Sequence, residues 1–92
     1  MIEVKIVNKI GIKINEYMQK HGSSKTWIAK QIGITRQSLN TIIKSQNPTV
    51  ETLEKLSVVL DCDIDELYDK EIKRDGMVIK IYREKGHNNI PL

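Results

Sequence analysis

A mainly α-helical domain of five short helices, with a small antiparallel β ribbon formed by the two ends of the chain, is the fold class that the sequence predicts. Three observations predict it. In residues 25–44, KTWIAKQIGITRQSLNTIIK, the apolar residues Ile28, Ala29 and Ile32 recur at helical spacing, a Gly33-Ile34-Thr35 break follows, and Leu39, Ile42 and Ile43 resume the spacing. Further amphipathic stretches bounded by capping residues stand on both sides of this pair. At the ends, residues 1–7 (MIEVKIV) alternate apolar and polar, and residues 77–83 (MVIKIYR) form a second β-prone run.

In chain order, Ile2, Val4 and Ile6 alternate with Glu3 and Lys5, which is a short strand signal. Residues 8–21 follow as the first helix, with Ile10, Ile14, Tyr17 and Met18 on one stripe and Gly22 as its stop. Ser24 supplies a hydroxyl cap for the second helix, which Lys25 begins. Gly33 can take the positive φ that ends it, and Thr35 can cap the free N–H groups that open the third. Ala29 is small where two helices crossing steeply leave little room. Residues 45–48 are a polar connection, after which Thr49 caps a fourth helix whose Val50, Leu53, Leu56 and Leu60 are expected to face the core, with Glu51 in its first turn. Asp63, with Glu66 three residues on, reads as a capping box that opens a fifth helix with Ile64, Leu67 and Tyr68 on its apolar side. Residues 70–76 read as a charged linker and residues 86–92 as a loose tail. An isolated edge exposes unpaired N–H and C=O groups, so the two β-prone ends are expected to pair with each other or with a partner chain.

The second and third helices meet the requirements of a helix-turn-helix, in which the latter helix is free to enter a DNA major groove. Leu39, Ile42 and Ile43 fix its buried stripe, which places Arg36, Gln37, Asn40 and Thr41 on the other side as candidate base readers. Arg36 can bond guanine O6 and N7 in a bidentate pair, and Gln37 can do the same with adenine N6 and N7. The competing reading of Arg36 is a pairing with a phosphate or a nearby carbonyl. Lys25 and Lys44 lack a planar fork and are assigned to phosphates, as are Ser38 and Ser45.

Composition supports this reading. The chain of 92 residues is read as a single domain with a helical core over residues 8–69, and its formal net charge is +3. That charge is unevenly spread. From Tyr17 to Val50 there are five bases (Lys20, Lys25, Lys30, Arg36, Lys44) and no acid, whereas Glu51 to Asp75 holds nine acids against four bases. A solvated charged face would give some asymmetry, but the acids vanish where a polyanion would lie.

The helix-turn-helix resembles that of the Cro/lambda-repressor-type (XRE-like) family of bacterial and phage regulators. The resemblance rests on the Ile28-Ala29 pair, Gly33-Ile34 in the turn, the Thr35 cap, Arg36-Gln37 opening the next helix, and NPTVETLEKL over residues 47–56. It covers about residues 10–68 and implies a five-helix lambda-repressor-like domain. The sequence departs from the family pattern in three places. Lys25 replaces a common Gln, the loop around Ser45 lacks the usual Gly, and Trp27 stands at a position that is usually polar. A large aromatic there needs cover, and the terminal ribbon is expected to provide it, in preference to a DNA-backbone or partner contact.

Other chemistries fit poorly. Asp61, Asp63 and Asp65 alternate like the start of a calcium loop, but Glu66 stands where Gly is needed and Ile72 where a bidentate Glu is needed. His21 and His87 have no Cys or second His beside them, so no metal site is expected. Cys62 lies beside no obvious base and is expected to be a small residue at the core's edge. No enzyme activity and no cofactor are expected. One cysteine, no long apolar run and no signal-peptide pattern suit a cytoplasmic protein without a membrane span. The expected function is therefore a sequence-specific double-stranded DNA-binding transcriptional regulator, a repressor acting as a homodimer on a palindromic operator. The runner-up is an antitoxin-type autoregulator that represses its own operon and also binds a toxin partner. The third reading is a protein-interaction domain that has lost DNA binding.

Overall fold

Hydroxyl caps and left-handed glycines set the boundaries of the helices. A computed structural model describes residues 1–81 of the chain. Strand β1 (Ile2–Asn8) leads into helices α1 (Ile10–His21), α2 (Lys25–Gln31), α3 (Arg36–Ile43) and α4 (Val50–Val59), after which come a 3-10 turn at Ile64–Glu66 and strands β2 (Tyr68–Arg74) and β3 (Met77–Ile81). Ser24, Thr35 and Thr49 each accept a hydrogen bond from the backbone N–H three residues on, which satisfies one of the donors that a helix start leaves free. Gly22 (φ 65°) ends α1 and Gly33 (φ 77°) turns the chain between α2 and α3. Among the described residues no helix is long and apolar enough to cross a membrane.

The core draws on every helix. Ile10 and Ile14 of α1, Ile28 and Ala29 of α2, Ile32, Leu39 of α3, Leu53 and Leu56 of α4, Leu60 and Leu67 are buried together. Tyr17, Met18, Ile42, Ile43 and Cys62 pack against them from the edge. Val50, expected in this cluster, is instead exposed, because it is the first residue of α4 and lies outside the cluster. Helices α1 and α3 approach so closely at Gly11 that an added Cβ would lie 2.9 Å from Ile43 Cγ2. The sequence gives no hint of this contact. The Ile43 methyl sits on a β-branched carbon with little rotamer freedom, so it cannot move aside cheaply. Gly11→Val is expected to lower unfolding free energy by about 1–2 kcal/mol, measured in urea, through overpacking that outweighs the loss of a helical glycine.

The structure departs from two sequence expectations. The predicted fifth helix is only the three-residue turn at Ile64–Glu66, so the domain has four α-helices, not five. Its predicted opening is present, with the Asp63 N–H donating to Glu66 Oε2 at 2.9 Å. It stops because β1 captures the chain. The Lys9 N–H donates to the Leu67 carbonyl at 2.9 Å, and from Asn8↔Tyr68 onward the two segments pair antiparallel.

The second correction is that the two ends of the chain do not pair with each other. Residues 70–76, expected as a linker, lie mostly in β2, which stands between β1 and β3 in a three-stranded antiparallel sheet. Opposite charges face across β1 and β2 at Glu3↔Lys73 and Lys5↔Glu71, and apolar residues align across all three strands at Val4↔Ile72↔Ile79. Asp75 (φ 51°) and Gly76 (φ 82°) form the two-residue turn between β2 and β3, with the positive φ values at both positions that match the twist of a hairpin. The expectations for Tyr82, Arg83, His87 and the tail over residues 86–92 lie outside the described residues.

Candidate nucleic-acid interface

Helix α2 packs across the back of α3 and leaves the latter's polar side open. Ile28 and Leu39 are fully buried at this crossing, and Ala29 supplies the small side chain that it requires. The Ile34 N–H donates to the Ala29 carbonyl at 3.0 Å and the Gly33 N–H to that of Lys30 at 3.1 Å, which fixes the turn. The orientation of α3 thus rests on buried apolar contacts on one face and on backbone hydrogen bonds at its start.

The candidate readers and phosphate contacts occupy that open side in distinct ways. Arg36 and Gln37, at the N-terminal end of α3, are exposed, and their side chains make no hydrogen bond or ion pair among the described residues. Asn40 is half-buried, with its Oδ1 3.5 Å from Lys25 Nζ. Thr41 is exposed, but its hydroxyl donates to the Gln37 carbonyl at 3.1 Å, so in this rotamer it presents an acceptor and a methyl group. The Ser38 hydroxyl accepts from Thr35 Oγ1 at 3.0 Å and keeps its own proton for a ligand. Ser45 is half-buried and accepts from the Asn47 N–H at 3.1 Å. Lys44 is exposed at the C-terminal end of α3.

The electrostatics of the two sides of the domain differ. Lys20, Lys25, Lys30, Arg36 and Lys44 form no salt bridge among the described residues, while Lys9 and Lys13 pair with Asp69 and Glu66 at 3.6 Å each. Lys9 and Lys13, beside the sheet and the 3-10 turn, are thus neutralised within the fold. Lys25, Lys30, Arg36 and Lys44 of the helix-turn-helix remain available to an anion, and no acid stands between Tyr17 and Val50 to compete for them.

Sequence reasoning missed one residue that holds the reading helix in place. Asn8 Nδ2 donates to the carbonyls of Ile42 (2.9 Å) and Ser45 (2.8 Å), while its Oδ1 accepts from the Ile10 N–H (2.8 Å). One amide therefore ties the start of α1 to carbonyls at and just past the end of α3. An Asn before a helix signals a cap, but its second pair of partners lies more than thirty residues away, beyond the reach of local pattern. Trp27 was expected under the terminal strands. Instead it stacks on Tyr17 of α1, with ring centroids 6.2 Å apart and planes 9° from parallel, and it stays partly exposed.

A helix held by its back across a second helix, with an open polar side and the unpaired cations Lys25, Arg36 and Lys44 at it, defines a helix-turn-helix DNA-binding domain. Residues 13–71 match the model of the Cro/C1-type HTH DNA-binding domain, and the chain belongs to that family. It is 33% identical over 73 residues to the HTH-type transcriptional regulator SinR of Bacillus subtilis (strain 168) and 32% identical over 73 residues to that of Bacillus licheniformis. Each alignment covers 75% of this chain and 66% of the relative, so the chain spans just under two thirds of their length. No solved structure matches it.

Proposed function

We propose that this protein is a transcriptional regulator, a repressor that binds a palindromic operator as a dimer with α3 in the major groove. The observation that carries the reading is the open polar side of α3, with Arg36 and Lys44 at its two ends and Lys25 beside Asn40, none of them in a salt bridge among the described residues. The relatives named as transcriptional regulators support the class. In this reading Arg36 and Gln37 enter the groove first and take base edges, with Asn40 and Thr41 beside them. Lys25, Ser38, Lys44 and Ser45 meet the flanking phosphates and fix the register. The absence of acids along α3 favours this reading over a protein-interaction domain that has lost DNA binding.

The reach of one module and the exposed apolar sheet face support dimerisation. A single domain of this size touches too few base pairs to find a site in a genome, and two-fold pairing doubles the reading. Alternation places Ile2, Val4, Ile72, Met77 and Ile79 on one sheet face, where Ile2 (58%), Val4 (57%), Met77 (67%) and Ile79 (50%) remain exposed. A second copy would cover that face by symmetry. The double variant Val4→Lys, Ile79→Lys is expected to weaken self-association by about tenfold or more in sedimentation, through like charges brought together, and to weaken operator binding with it. Unchanged self-association would remove the sheet from the interface.

Selection of bound sequences from a random duplex pool tests the proposed function. The expected result is a palindrome with half-sites about one or a few helical turns apart. Enrichment of no sequence would overturn it.

A further inference from the structure

We infer that Lys25 holds Asn40 as a hydrogen-bond donor, so that Asn40 selects guanine or thymine over adenine, whose N6 donor it cannot accept from; the inference rests on the reading of α3 as the base-reading helix. Lys25 opens α2 and Asn40 lies within α3, and their Nζ and Oδ1 atoms are 3.5 Å apart in a partly buried setting. An ammonium group has three donors and no acceptor. It therefore fixes the otherwise ambiguous orientation of the amide, because the flipped amide would set an NH2 group against NH3⁺. Lys25 has no acid to draw it away, since it forms no salt bridge among the described residues.

The consequence concerns which base Asn40 can serve. An unconstrained Asn pairs with adenine by donating to N7 and accepting from N6, which requires both ends of the amide. With Oδ1 turned to Lys25, Nδ2 is the end left for a ligand, and it makes no hydrogen bond among the described residues. In the major groove a donor suits guanine N7 and O6 or thymine O4, whereas at adenine it reaches N7 alone and leaves the N6 donor without its acceptor. The remaining Nζ protons of Lys25 stay available to a phosphate, so one residue joins backbone contact to base choice.

Duplex selection with the whole chain, Asn40→Ala and Lys25→Met tests the inference. Asn40→Ala identifies the position in each half-site that depends on Asn40, and the unaltered chain is expected to prefer guanine or thymine there. Lys25→Met frees Oδ1 and is expected to shift that position toward adenine by about tenfold, with the other positions unchanged. Adenine preference in the unaltered chain, a Lys25→Met variant that weakens all sequences equally, or an Asn40→Ala variant that keeps every preference would each overturn the inference while leaving α3 as the reading helix. A chain that selects no sequence overturns both.

Discussion

Asn8→Ala is expected to lower the free energy of unfolding by about 2–4 kcal/mol. The side chain is a junction, because its amide donates to the carbonyls of Ile42 and Ser45 and accepts from the Ile10 N–H, all at 2.8–2.9 Å. Each such bond contributes about 0.5–1.5 kcal/mol net, and leaving a part-buried partner unpaired adds the cost of its desolvation. Asn8→Asp is expected to be at least as damaging. It keeps an acceptor for Ile10, but turns a carboxylate toward two carbonyls at the negative end of the α3 dipole. Urea unfolding followed by the fluorescence of Trp27, the one tryptophan, measures both variants. A loss below about 0.5 kcal/mol for Asn8→Ala would mean that water replaces the amide without penalty and that the apolar core alone holds α3.

Arg36→Ala is expected to cost about 1–3 kcal/mol on the selected operator and much less on scrambled duplex. Arg36 opens α3, is exposed, and is not drawn into any ion pair among the described residues, so its guanidinium fork is free for guanine O6 and N7. Lys44→Ala is the contrasting case. Its point charge at the C-terminal end of α3 suits a phosphate, so this variant should weaken all sequences about equally and reduce the salt slope by roughly one phosphate. Titrations of both variants against operator and scrambled duplex at several salt concentrations separate the roles. An Arg36→Ala loss that is equal on the two duplexes would move that residue to the phosphate group and leave Gln37 as the main reader.

The helix-turn-helix was legible because its determinants are local. Ser24, Thr35 and Thr49 cap helices that start immediately after them, Gly22 and Gly33 take the left-handed conformation, and apolar spacing placed Ile28, Ala29 and Leu39 in the core. Strand β2 was not legible in the same way. Five of the seven residues of YDKEIKR are charged, and their strand character comes from partners on β1 and β3 that local pattern does not contain. One local signal does mark this hairpin. Asp75-Gly76 between Arg74 and Met77 is a strong two-residue hairpin signature and would have turned a supposed linker into β2 and β3. The same limit applies at the candidate interface. The polar side of α3 followed from the buried stripe, but the grip of Asn8 on the end of α3 and that of Lys25 on Asn40 are contacts between distant segments.

An amide-resolved NMR titration of the whole chain with the selected duplex tests most directly that α3 is the surface presented to DNA. The account predicts that the largest shifts fall at the start of α2, around Lys25, and along α3 from Thr35 to Ser45, with small changes in β2. Shifts concentrated on the sheet, with α3 unaffected, would contradict it.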